Sequence, residues 1–362
     1  MRRFIELGLI AVSLTACLSE GEERAERDRE VGKTSAAGVR FEVGQGLAAV
    51  RRIGSGELVL WGSAPAFDVE VWAANDAVRT WIVSIENVLA DSTLSALDGA
   101  SISEEPDPAG IGTRKRFRVE LTSNHARLRL APPDTDSPDS FRFAVLSDIQ
   151  EAVDRLQDIH QKLNATPDLR FLLGAGDLTQ RGRRDELERY QNELKTLKIP
   201  YFTTLGNHEL GVSPELFHDY FGRGNFHFGF RGVEFSLLDS ASATLDPSVY
   251  DWLDGWLAEH RERVHIVAMH IPPIDPIGVR NGSFASRNEA GKLLVRLANG
   301  EVDLTLYGHI HSYYDFENGG IPAYISGGGG AVPERFDRIG RHFLVVDVSR
   351  AGVAKVEVVR VD

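Results

Sequence analysis

Hydrophobic and polar positions follow two different patterns along this 362-residue chain. Over 39–43, 58–61, 67–72, 81–85, 117–121 and 126–130, apolar residues alternate with polar ones in short runs between turn residues. A period of two predicts half-buried strands, and a series of them without helical segments predicts a β-sandwich of about 100 residues. The proline-bearing stretch 132–138 (PPDTDSP) reads as a polar boundary. From Phe141 onward, near-continuous apolar runs alternate with amphipathic segments at 152–164 and 184–197. That order predicts an α/β domain around a largely parallel, buried sheet. Hairpin-like strands follow Asn225, and 343–348 and 353–361 are β again. The count suits a layered α/β/β/α arrangement, preceded by the smaller β-sandwich. The expected divisions are 38–133 for the sandwich and 139–362 for the α/β domain.

The first residues read differently. Arg2 and Arg3 precede a short apolar stretch, 4–14, interrupted only by Glu6. It is too short to span a bilayer and has the flanks of a secretory signal. The stretch runs into Leu14-Thr15-Ala16-Cys17, and Cys17 is the chain's one cysteine. Small residues before that cysteine resemble the bacterial lipobox, which implies cleavage before Cys17 and lipidation of its thiol. Leu18 after it resembles the outer-membrane sorting pattern. Residues 18–37 are strongly charged and show no apolar periodicity, so they are expected to form a disordered tether. The implied location is outside the cytoplasm, lipid-anchored at a bacterial membrane on the periplasmic face or cell surface.

Composition removes several classes. A single cysteine excludes a disulfide scaffold, and no apolar run reaches the roughly 18 residues of a spanning helix. Membrane contact is therefore expected through the anchor alone. A net charge of −13 opposes binding to a polyanion, so no nucleic-acid partner is expected.

The chemistry lies in how the apolar runs end. The run 141–146 ends in Ser147-Asp148-Ile149-Gln150, and 171–175 ends in Gly176-Asp177. The run 201–205 ends in Gly206-Asn207-His208-Glu209, 265–269 in His270, and 304–307 in Gly308-His309-Ile310-His311. Five strands thus deliver carboxylate, amide and imidazole groups to one edge of a sheet, where open α/β folds place their sites. Taken singly, an Asp after a strand can cap a helix, and an Asn can serve a turn. Together the mixture suits a pair of divalent transition metals and not a thiolate zinc site. His125, His160, His218, His227, His260, His265 and His342 are read as structural.

These motifs closely resemble those of the calcineurin-like metallophosphoesterases over 141–348. The N-terminal region is similar, more weakly, to the β-domains preceding such catalytic domains in purple acid phosphatases. The resemblance implies two divalent ions (Mn, Fe or Zn, with Mn favoured). It places Asp148 and His311 on the first metal, Asp177 between both, and Asn207, His270 and His309 on the second. His208 would face the substrate, stabilising phosphoryl oxygens and protonating the leaving group, with Glu209 orienting it. Gln150 departs from the family's histidine; as a ligand it would weaken the first site or shift it toward a harder cation. An Asp-x-Gln start also resembles a manganese-dependent branch acting on nucleotide-type diphosphates.

The expected activity is hydrolysis of a small-molecule, lipid or glycan phosphomonoester or phosphodiester. A nucleotide-type diphosphatase and a non-catalytic metal- or phosphate-binding module are the alternatives. Two softer features are singled out. The run Ser326 to Gly330 reads either as a neighbour of the metal centre or as a hairpin loop. Arg181, Arg183 and Arg184 either meet a substrate anion or solvate a helix start.

Overall fold

The computed structural model describes residues 21–278, 282–334 and 338–361. The expected signal segment and Cys17 lie outside them.

Two five-stranded sheets form the N-terminal sandwich. One has the order Lys33–Ala36, Val39–Val43, Phe67–Ala73, His125–Ala131, Thr93–Asp98. The other runs Ala48–Gly54, Glu57–Gly62, Thr80–Glu86, Arg114–Leu121, Ala100–Glu105. All six strands read from the alternation are present. Of those not read, Thr93–Asp98 and Ala100–Glu105 are edge strands with little buried surface, so they carry a weak apolar signature.

The second region contains two further sheets. In the first, Tyr201–Thr204, Leu169–Ala175 and Phe141–Leu146 are parallel, and His342–Ser349 and Gly352–Arg360 continue it antiparallel. The second has Val233–Leu238, Val264–Met269, Leu304–Tyr307 and Ile321–Ser326 in parallel, flanked by Phe226–Phe230 and Tyr313–Asn318. Aromatic residues fill the space between the sheets; the Phe143 ring lies 5.5 Å from Phe171 and 5.3 Å from Phe235. Gln157–Ala165 and Arg184–Leu194 cover the outer face of the first sheet, and Pro247–Glu259 and Arg287–Asn299 that of the second. The result is the α/β/β/α order. The helix starts are locally encoded: Asp246 and Ser286 accept N-terminal amides, and Pro247 sits where its missing N–H costs nothing.

The two regions are joined by hydrogen bonds as well as packing. Asn87 of the sandwich donates to the carbonyls of Gly62 and Tyr201 and accepts from the Tyr201 amide, each at 2.7 Å.

The charged stretch expected to be a tether is folded from residue 21, which corrects that reading and moves the start of the sandwich forward. Residues 21–30 are helical, and Lys33–Ala36 pairs with Val39–Val43 across a tight turn at Ala37-Gly38. The helix buries Arg24, Ala25 and Asp28, with Val31 following, a helical face whose key members are charged. Arg24 donates to Asp239 (2.6 Å). Asp28 accepts from the backbone amides of Gly224 (2.8 Å) and Asn225 (3.0 Å), and from the Asn225 side chain (2.8 Å). An apolar periodicity cannot register a face built from an ion pair and a capped carboxylate.

Candidate metal centre

Ligands arrive from both sheets because both end their parallel strands at the same edge. Asp148 and Asp177 follow Phe141–Leu146 and Leu169–Ala175, and Asn207 follows Tyr201–Thr204. His270 follows Val264–Met269, and His309 and His311 follow Leu304–Tyr307. One donor atom each of Asp148, Asp177 and His270 lies within 4.8 Å of the others, and all three residues are buried. The amide oxygen of Asn207 is 3.0 Å from His270 Nε2 and 2.9 Å from His309 Nδ1. His311 Nε2 lies 3.5 Å from Asp148 Oδ1, and His270 Nε2 is 3.2 Å from Asp177 Oδ1.

The turns are sharp. Asp148, Gln150, Asp177 and His309 have φ of 60°, 51°, 54° and 71°, conformations that non-glycine residues adopt at a cost. Gly206 is required for room: a Cβ there would stand 2.1 Å from Asp177 Oδ1.

Two imidazoles are turned for ligation. His270 Nδ1–H donates to the Ala175 carbonyl and His311 Nδ1–H to the Val332 carbonyl, both at 2.7 Å. Each ring then presents the lone pair of Nε2 inward, which is how metal-binding histidines are fixed. Electrostatics agree. Burial raises the Asp148 carboxyl, with the Asp177 charge adding to the rise. Burial acts against Asp177 too, but His270 outweighs it and holds that carboxyl well below the usual range. Burial disfavours a charged His270, yet Asp177 and Asp148 push it up to about 9. The pair of buried carboxylates thus holds a positive charge beside it, the condition a divalent cation meets better than a proton. The donor set fits such ions.

His208 stands at the rim with 28% of its side chain exposed. Its Nδ1–H donates to the Gln180 carbonyl (2.8 Å), which leaves Nε2 on the side of the centre, 3.9 Å from Asp177 Oδ2. The expected role of Glu209 needs correcting. Its carboxylate accepts from the Thr179 amide and hydroxyl and from the Gly206 amide, at 2.9, 3.0 and 2.9 Å. It therefore ties two ligand loops together, while a backbone carbonyl orients His208. Burial, with the Asp177 charge, raises the Glu209 carboxyl to about 7.

Gln150 sits beside Asp177 and His311. Its Nε2 donates to Asp177 Oδ2 (2.9 Å) and faces His311 Nε2 at 3.2 Å. A half-turn of the amide would present its oxygen, a possible ligand atom, at the same place.

The 326–330 strip does border the centre. The Gly329 amide donates to the Ser147 carbonyl (2.8 Å), and the Ser147 hydroxyl to the Ser326 carbonyl (2.9 Å). A cleft of about 210 Å³ opens there, lined by His311, Arg155, Gly328, Gly330, Pro333 and Arg341. Arg183 and Arg184 are instead taken up by Asp185 and the Tyr220 hydroxyl, each at 3.0 Å. A wider cleft of about 560 Å³, beside residues 23–33, lies away from the ligands. Sequence reading missed Ser147, Gln180 and Val332. The last two act through backbone carbonyls, which leave no trace in residue identity.

Residues 141–313 match the family model described as calcineurin-like phosphoesterase. A curated 3′,5′-cyclic-nucleotide phosphodiesterase of Nostoc sp. is 27% identical over 156 residues, 41% of this chain and 58% of that protein. The chain therefore spans just over half the length of that relative. Among solved structures, a purple acid phosphatase from yellow lupin (Lupinus luteus) seeds superposes with a TM-score of 0.55 at 13% identity. That match covers 83% of this chain and 71% of the lupin chain, more than residues 139–362 alone could supply. A dimetal phosphatase from Danio rerio gives a TM-score of 0.47 at 16% identity, covering 62% of this chain and all of that one.

Proposed function

We propose that the chain, whose residues 141–313 match the calcineurin-like phosphoesterase family model, is a metal-dependent hydrolase of phosphomonoesters or phosphodiesters. The observation that carries this reading is the inward aim of His270 and His311 Nε2 onto Asp177 and Asp148, fixed from behind by backbone carbonyls. Asp177 would bridge two divalent ions, with Asp148 and His311 on one side and Asn207, His270 and His309 on the other. When bound, the ions supply charge stabilisation and a water acidified toward neutral pH. His208, held by Gln180 with Nε2 on the side of the centre, protonates the departing oxygen and bonds the phosphoryl oxygens. The 210 Å³ cleft beside His311 suits a small ester substituent, with Arg155 and Arg341 among its lining residues.

The presence of His208 at the rim speaks against a purely binding module, for which an imidazole there has no task. A nucleotide-type diphosphatase remains the second reading, carried by Gln150. Export and a lipid on Cys17 belong to the same proposal and rest on residues 1–17; radiolabelled palmitate incorporation, lost in Cys17→Ser, tests them.

Activity is tested with bis(p-nitrophenyl) phosphate, p-nitrophenyl phosphate, a 3′,5′-cyclic nucleotide (the ester class in the Nostoc relative's name) and ADP-ribose. The protein lacking residues 1–17 is assayed metal-free and with Mn²⁺. Expected is metal-dependent turnover of an ester, reduced at least 100-fold by Asp177→Asn. Bound Mn²⁺ without turnover of any ester, or full activity in Asp177→Asn, would sink the reading. Turnover confined to ADP-ribose would select the diphosphatase.

A further inference from the structure

Apart from the centre already described, one other grouping of ligating side chains converges among the described residues. It comprises His227, Glu234 and His260, with one donor atom of each within 4.8 Å of the others. It lies at the opposite end of its sheet. Glu234 is the second residue of Val233–Leu238, and its neighbour His265 is the second of Val264–Met269. Five residues of extended chain separate His265 from His270, about 16 Å.

We propose that this grouping is a separate zinc-type cation site. Its ligands would be His227 Nε2, Glu234 Oε2 and a ring nitrogen of His260, with solvent completing a tetrahedron. Two imidazoles and one carboxylate suit Zn²⁺ or Co²⁺ and not Ca²⁺ or Mg²⁺.

The geometry supplies the reasons. The Glu234 side chain is 1% exposed, and Arg263 occupies only one of its oxygens, donating to Oε1 at 2.5 Å. His227 Nε2 lies 3.0 Å from the other oxygen but makes no aligned hydrogen bond with it. Behind the ring, His227 Nδ1 is 3.2 Å from the Ser236 hydroxyl, which is 2.8 Å from His265 Nε2. When Ser236 donates to His265, it accepts from His227 Nδ1–H and leaves the His227 lone pair on Nε2, opposite a carboxylate oxygen. A shared proton or a metal ion can meet that arrangement at 3.0 Å, and His260, with Nδ1 3.8 Å from Glu234 Oε1, adds the third donor that a metal takes and a proton does not need.

It is the same device that aims His270 and His311, with a hydroxyl in place of a carbonyl. The Trp256 ring stacks on His227 at 5.5 Å and shields one side. His260 is stacked near-parallel to His227 at 5.2 Å and is 20% exposed, which gives a path of entry. The charges that face the cluster are those of Arg263, half-exposed and solvent-screened, and of Glu259, 4.0 Å from His260 Nε2.

Zinc content after equilibration and exhaustive dialysis, measured by inductively coupled plasma mass spectrometry, provides the test. His260→Ala and His227→Gln should each lose one zinc per chain relative to the unsubstituted protein while kcat/KM holds within twofold. Asp177→Asn should keep that zinc. Loading with Co²⁺ should add a visible d–d absorption in Asp177→Asn that is missing when His260→Ala is combined with it. Because His260 is partly exposed, its truncation should leave the melting temperature of the metal-free protein unchanged. Equal zinc content in the unsubstituted and His260→Ala proteins, or no Co²⁺ band in Asp177→Asn, would refute the site.

Discussion

Gln150 faces Asp177 and His311 with an amide nitrogen, so the corner where a further imidazole would enter the centre is closed by a hydrogen-bond donor. Replacing it by an imidazole removes the donor and adds a lone pair beside the same two residues. Gln150→His is expected to tighten binding at the first site by at least tenfold, read by calorimetric titration of Mn²⁺ into metal-free protein. An unchanged affinity would mean that the corner is not part of the ion's surroundings. At this scale legibility has a sharp edge. Asp148, Asp177, Asn207, His270, His309 and His311 could be read because their identity is their chemistry. Glu209 was legible as a residue and not as a role, since its partners, Thr179 and the Gly206 amide, are met only in three dimensions. The carbonyls of Ala175, Gln180 and Val332 could not be read at all, because every residue carries one.

Among the elements, the helix Gln157–Ala165 shows how a structural histidine differs from a ligand. His160 is 1% exposed, its Nδ1 bonds Thr196 at 2.7 Å, and burial drives it down to about 4. The folded chain thus binds fewer protons than the unfolded one between about pH 6.5 and pH 4. Its stability is fully present above the ordinary histidine range and is lost as the pH falls through that window. His160→Leu should flatten that part of a urea-denaturation stability profile by on the order of 3 kcal/mol between pH 7 and pH 4. A profile of unchanged slope would show that the ring is not held neutral. Amphipathic helices of this kind announce themselves by apolar spacing, and both 152–164 and 184–197 were placed to within a few residues. The helix at 21–30 was not, because its buried face is Arg24 and Asp28.

At the scale of the whole molecule, that same helix ties the amino end to the α/β domain. Asp28 satisfies the backbone at Gly224 and Asn225, and Asn225 in turn accepts from the Asp239 amide (2.8 Å). Removing the carboxylate strands several buried donors at once. Asp28→Ala should cost on the order of 3 kcal/mol of unfolding free energy, measured by denaturant titration. A loss below about 0.5 kcal/mol, the level of an exposed substitution, would show that the latch is not formed in solution.

If the proposed lipid on Cys17 is present, the docked helix also sets how far the protein could roam from a bilayer. With a lipid on Cys17, a tether ending at residue 38 would have let the body range over about 70 Å, at roughly 3.5 Å per extended residue. A body clamped from residue 21 would have a leash of at most about 14 Å. A protein anchored in that way would be moored and would not drift. Esters presented at the membrane surface would then meet the proposed metal centre at an effective concentration set by geometry, while substrates in bulk solution would gain nothing from the anchor.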